Sequence, residues 1–158
     1  MTQVRERTGP TRPVPDEAFL SGQHESGDGH TPVILRTIGA VAVLVVGAVH
    51  LQQYLGYHFD TVPIIGPLFA LNFAGATVIG VGLLIPAARL RHVHVLLALG
   101  GIGLSATSFV FLLVSEHQPL FGFQEHGYRA AIVVALAAEA VAVVTLAAYL
   151  AARARRRA

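Results

Sequence analysis

Cysteine and lysine are both absent from this 158-residue chain, and charge of either sign is scarce. Without cysteine there can be no disulfide, thiolate metal site, iron–sulfur cluster or thiol redox chemistry, which removes the quinone-linked dithiol oxidoreductases. Charged residues make up 13% of the chain, against about 25% in an ordinary soluble domain. The sequence also has no nucleophile elbow, no phosphate-binding glycine loop and no aspartate pair of the kind used in lipid phosphotransfer. The pI near 9.5 comes from arginines at the ends of apolar runs. No basic stripe with interleaved aromatics accompanies it, so nucleic acid is not an expected partner.

What the chain does have is hydrophobic length. Four apolar runs cover about 33–55, 64–86, 93–114 and 130–151. About 20 residues at 1.5 Å rise cross about 30 Å of hydrocarbon, so each run can span a bilayer. None shows the polar face at period 3.6 that a soluble bundle helix carries. The expected fold is all-α, a four-helix transmembrane bundle running up-down-up-down. Residues 1–31 read as a disordered tail, rich in Pro, Gly and mixed charge. Residues 32–152 form the membrane domain and 153–158 a basic tail. The first run is too long, and follows too much polar sequence, to be a cleaved signal.

Arginine gives the direction. Arg5, Arg7, Arg12 and Arg36 precede or open the first run, and Arg89 and Arg91 lie between the second and third. Arg153, Arg155, Arg156 and Arg157 close the chain. The gap 52–63 has no arginine and the gap 115–129 only Arg129, at its edge. By the positive-inside rule both termini are cytoplasmic in a plasma-membrane protein, with the loops 52–63 and 115–129 outside. Tyr54, Tyr57 and Phe59, with Phe121, Phe123 and Tyr128, suit an outer aromatic belt. Pro63 and Pro67 bracket the start of the second helix, and Pro86 closes it.

Polar groups inside the runs carry the most information, because they are costly there. They are His50, Asn72, Thr77, Ser105, Thr107, Ser108, Glu139 and Thr145. Small residues mark the faces where membrane helices meet. Glu139 shares a face with Ala131 and Ala135, Ser105 and Ser108 with Gly101, Asn72 with Gly75 and Ala76, and His50 with Gly39, Val43 and Gly47. Counting from the outer ends, His50 lies about 8 Å deep, Asn72 about 12 Å, and Ser105 and Glu139 about 14 Å. The expectation is one polar pocket in the outer half, where Glu139 binds a proton or cation. His50 pairs with it, and Asn72 and Ser105 supply hydrogen bonds. The opposing reading is a polar clamp that fixes helix register, and intramembrane hydroxyls often bond only their own backbone.

The outer loops add His58, Asp60, Glu116, His117, Glu125 and His126, ligand types that suit zinc, copper(II) or iron, in no standard spacing. Haem would need two histidines at similar depth on facing helices, and only His50 lies well inside a run. Arg91, His92 and His94 lie near the cytoplasmic face, within reach of lipid phosphates.

His50-Leu51 followed by Gly56-Tyr57, Pro63, Ile65-Gly66-Pro67-Leu68-Phe69 and Asn72 resembles small uncharacterised four-span integral membrane proteins of actinobacteria. Leu120-Phe121-Gly122-Phe123, Gly127-Tyr128-Arg129 and Glu139 belong to the same resemblance, which covers about residues 33–150. The layout is also similar to DoxX-like four-helix membrane proteins, some of them linked to quinone or redox enzymes. That similarity rests on span number and a Gly- and His-bearing first helix, and it transfers no catalytic residue. The sequence thus reads as a non-enzymatic accessory subunit or carrier-like protein in the lipid bilayer, alone, as a homo-oligomer or with a membrane partner. A redox-associated subunit holding quinone or metal, and a structural scaffold, are the alternatives. No cofactor is required by the sequence.

Overall fold

A computed structural model of the chain describes residues 26–86, 92–119, 121 and 129–157, without the side chains of 26–29 and 60. Four helices are present among them. α1 runs Ser26–Gly56, α2 Ile65–Leu84, α3 Val93–His117 and α4 Ala130–Arg155. A 3-10 turn, Phe59–Thr61, joins the first two. Each helix is long and apolar enough to cross a membrane.

Local chemistry explains the ends. Pro67 falls in the first turn of α2, where a missing N–H costs nothing. Ile85 precedes Pro86 and is extended (φ −61, ψ 139), so α2 stops at Leu84, two residues before the expected end. α1 begins upstream of the expected start, with Pro32 inside it. α3 and α4 each run a turn beyond the apolar sequence, to His117 and Arg155. Between α1 and α2 the chain turns tightly. His58 takes a left-handed conformation (φ 58) and Ile64 a φ of 69. The Ile65 N–H donates to the Pro63 carbonyl over 2.8 Å. With ψ −53 at Ile64, this is a γ-turn of the rare positive-φ kind, strained for a β-branched residue.

The helices form one antiparallel ring: α1 packs on α2 and α4, and α3 packs on α2 and α4, with α1 and α3 facing across a diagonal. The outside is apolar. Leu71, Val78, Leu96, Val110, Val133 and Val144 are among the exposed side chains, while Arg36, His50, His94, Ser105 and Glu139 are buried. A surface of this kind suits lipid rather than water, and the chain is accordingly a small polytopic membrane protein. Lipid tails are as apolar as leucine, so close packing holds such helices together. At Gly47 a Cβ would come within 2.8 Å of the Ala76 Cβ, so α1 and α2 approach this closely only with hydrogen there.

The interior is layered. Val43 of α1, Ile79 of α2 and Leu146 of α4 all close on Gly101 of α3, where a Cβ would meet their side chains at 3.3, 3.3 and 2.8 Å. Seven residues along α1, α3 and α4 toward one end lie His50, Ser108 and Glu139. Seven residues toward the other lie Arg36, His94 and Arg153. Seven residues are two turns at 3.5 residues per turn, the repeat of a left-handed supercoil. The bundle therefore has a polar layer, an apolar middle layer and a basic layer, each about 10 Å from the next.

Candidate functional site

The polar layer borders a cavity of about 410 Å³ at the arginine-poor end, walled mostly by aliphatic and aromatic side chains such as Leu68, Phe69, Leu104 and Ile132. His50, Gln53, Asn72, Thr107, Ser108, Ser115 and Glu139 are its polar lining residues. His50, Asn72 and Glu139, three residues singled out by their faces and depth, thus line one space. Ser105 does not line it. It is fully buried, and its hydroxyl has no partner. Ser108, one turn further along α3, occupies the position expected of Ser105.

The geometry fixes the role of His50. Its Nδ1 lies 2.8 Å from the Val46 carbonyl, which can only accept, so Nδ1 carries the proton. Nε2 then accepts from the Ser108 hydroxyl at 3.0 Å. The Ser108 side chain also interacts with the Glu139 carboxyl. Glu139 and His50 were expected to pair; Ser108 stands between them instead. The His50 ring meets the Phe69 ring edge-on, with centroids 5.0 Å apart, and Phe69 packs against Phe59 at 5.1 Å with the rings tilted by 39°. Phe59 is therefore buried and not part of an interfacial belt, because the turn after His58 carries it inward. Tyr57 stays exposed, with the Arg129 guanidinium 4.6 Å over its ring. Phe123 and Tyr128 lie outside the described residues.

Several polar atoms of the lining residues are unspent. Glu139 is 1% exposed. Its Oε2, the Asn72 Oδ1 and both amide atoms of Gln53 are buried without a hydrogen-bond partner. Each such group costs about 1–3 kcal/mol if left unmet. Gln53 was not anticipated. Its position at the end of a span hides it from a search for polar residues deep in apolar runs. By contrast, Thr77 and Thr145 bond carbonyls of their own helices, as does Ser115, the behaviour expected of lone hydroxyls.

The loop ligands do not converge. His117 is exposed and directs Nδ1 to its own helix at the Leu113 carbonyl, 2.8 Å away. His58 sits exposed on the turn after α1. Glu116 belongs to the last turn of α3. Asp60's side chain, Glu125 and His126 lie outside the described residues. Among the described residues no group of three metal-ligand side chains stands together. Nor does His50 fit haem iron, since both of its ring nitrogens are engaged.

The basic layer holds a second polar cluster. His94, in the first turn of α3 at the arginine-bearing end, is fully buried rather than open to lipid phosphates. Arg36 Nη1 donates to the Ile85 carbonyl at 3.2 Å and lies 3.2 Å from Nδ1 of His94. The Gly82 and Ile85 carbonyls stand near the His94 ring. α2 ends here, so its last carbonyls have no intrahelical partner. Arg36 and His94 together cap that helix end. His92, beside them in sequence, is exposed, and Arg91 lies outside the described residues.

No protein-family model matches the chain, and neither a curated protein nor a solved structure matches it.

Proposed function

We propose that this chain is a non-enzymatic ligand-binding membrane protein, an accessory subunit or carrier-like protein. Its cavity takes a small amphipathic molecule. The observation that carries this reading is the set of buried, unspent atoms on Glu139, Asn72 and Gln53, residues of three helices that line a mostly apolar cavity. Apolar walls with a few convergent polar groups are the usual form of a small-molecule site. A ligand hydroxyl or amine would donate to Glu139 Oε2 or Asn72 Oδ1, and a ligand oxygen would accept from Gln53 Nε2. His50 and Ser108 hold Glu139 in place. In this reading the arginine-bearing end is cytoplasmic, the membrane is the plasma membrane and the cavity lies toward its outer face.

The test is extraction of the protein in mild detergent, followed by mass spectrometry of co-purifying small molecules. Wild type should retain a lipid-soluble molecule that Glu139→Gln loses. Equal retention by a folded Glu139→Gln protein would remove the cavity from the function.

A quinone is the more specific reading of the same ligand class. It is favoured by the aromatic wall formed by Phe59, Phe69 and the His50 ring, which suits a flat ring. Its carbonyl would accept from Gln53. The absorption spectrum of the same extract, before and after chemical reduction, separates this reading from a redox-inert ligand.

A further inference from the structure

The residues that line the cavity differ in exposure from helix to helix. Those of α1 and α4, among them His50, Gln53, Ile132, Ala135 and Glu139, are buried. The exposed ones are Leu68 and Leu71 of α2 and Gly103, Thr107 and Phe111 of α3. Leu71 is 67% exposed. The cavity therefore reaches the outside of the bundle between α2 and α3.

The sequence explains why these two helices part there. Nearer the arginine-bearing end, side chains of one fill glycine notches of the other. Leu97 seats against Gly82, Ile79 against Gly100 and Leu104 against Gly75, where an added Cβ would meet them at 2.8, 3.4 and 3.1 Å. Such notches let membrane helices come close. The same antiparallel register, carried outward, sets Asn72 opposite Thr107 and Leu68 opposite Phe111. Neither pair contains a glycine to receive a side chain. Beside them, a Cβ added at Gly103 would meet nothing within 4 Å. The seam is zipped toward one end and open toward the other.

Depth decides what the opening faces. Leu71 and Phe111 each lie about 9 Å inside the end of their helix, and Gly103 about 21 Å inside the end of α3. With about 30 Å of hydrocarbon across a bilayer, the greater part of the opening faces acyl chains and not water.

We propose that the cavity ligand is a chain-bearing lipid that enters from the bilayer between α2 and α3. Its hydroxyl- or amine-bearing head seats on Glu139 and Asn72, and its hydrocarbon chain stays in the seam. This rests on the cavity being a ligand site and adds the class of ligand and its route. A chain lying against Leu68, Leu71 and Phe111 exchanges lipid neighbours for side chains of the same polarity. The seam thus costs it little, and the hydrogen bonds of the head decide affinity. An ionised carboxylate or phosphate head has no donor for the Asn72 oxygen and meets the Glu139 carboxyl, so the head is neutral or cationic.

The test uses the full chain in phosphatidylcholine nanodiscs with two photoactivatable probes. One is a monoacylglycerol and the other a hydrocarbon of the same chain length, each with a diazirine in mid-chain. Peptide mapping by mass spectrometry locates the label after irradiation. The monoacylglycerol should label Leu68, Leu71 and Phe111 several-fold more than the hydrocarbon does. Val41 and Val144, exposed on α1 and α4, should take both probes equally. Glu139→Gln should remove the preference at the seam. Gly103→Leu and Thr107→Leu, which fill the seam from exposed positions, should each reduce it several-fold. A seam without preference in wild type, or a preference that both seam variants keep in full, would overturn the proposal. Preference at Ile132 and Ala135 but not at the seam would overturn the lateral route and leave the cavity as a ligand site. A preference that Glu139→Gln keeps in full would overturn both.

Discussion

Ser108 donates to His50 across the diagonal of the bundle, over 3.0 Å, between residues 58 positions apart in the chain. The same offset joins Arg36 to His94 at the other end. α1 and α3 run parallel and in register, tied at both ends by polar contacts with an apolar contact between them.

Removing the Ser108 hydroxyl leaves His50 Nε2 without its donor. Ser108→Ala should therefore destabilise the protein by about 1–2 kcal/mol, the range for one interhelical hydrogen bond in a membrane. Ser105→Ala, one turn away, loses a hydroxyl that has no partner and should be neutral or slightly stabilising. Denaturation of both variants in the same detergent checks the pair. Equal losses would mean that the bond between α1 and α3 contributes nothing.

The middle layer predicts coupling. Gly101→Val drives atoms into Leu146, Val43 and Ile79 and should cost about 1–3 kcal/mol. Leu146→Ala empties the same space and should cost about 2–5 kcal/mol. The double variant should lose less than the sum of the two, by about 1 kcal/mol or more. Strict additivity would separate Gly101 from Leu146.

Ile64 offers a gain. It is half exposed, so little packing depends on it, yet it holds a positive φ that glycine adopts freely. Ile64→Gly should be at least as stable as wild type, and more stable than Ile64→Ala by roughly 1 kcal/mol. Melting curves of the three proteins isolate the turn, since Gly and Ala lose nearly the same contacts. Ala above Gly would mean that the γ-turn is not strained.

The absence of cysteine makes orientation directly measurable. Tyr57→Cys and Arg156→Cys place one thiol at each end of the bundle. In intact cells a membrane-impermeant maleimide should label Tyr57→Cys, and Arg156→Cys only after permeabilisation. The reverse pattern would invert the topology read from the arginines.

The architecture was legible because transmembrane length and apolarity are local properties. Each run declares itself without reference to its neighbours. The cavity was half legible. Small-residue faces and depth brought His50, Asn72 and Glu139 to one wall, but could not choose between Ser105 and Ser108. That choice depends on the rotation of α3 against α1, a property of the pair rather than of either helix. The seven-residue steps from Arg36 through Val43 to His50, and from His94 through Gly101 to Ser108, contain that register. They pass unnoticed because arginine, valine and histidine do not look like one repeating class. The burial of His94 was not legible for a related reason. A histidine one residue into a helix looks interfacial until the short α2, ending at Leu84, is seen to leave carbonyls for it to meet.

In this conformation the layering closes the inner side of Glu139 to a cation. A positive charge that reaches Glu139 finds Val43, Ile79 and Leu146 closed around Gly101. Beyond them stand Arg36 and Arg153. At the middle layer, about 10 Å away, each guanidinium repels such a charge by roughly 1.7 kcal/mol at an effective dielectric of 20. A cation held at Glu139 therefore has an apolar layer, and beyond it two guanidiniums, on its inner side in this conformation.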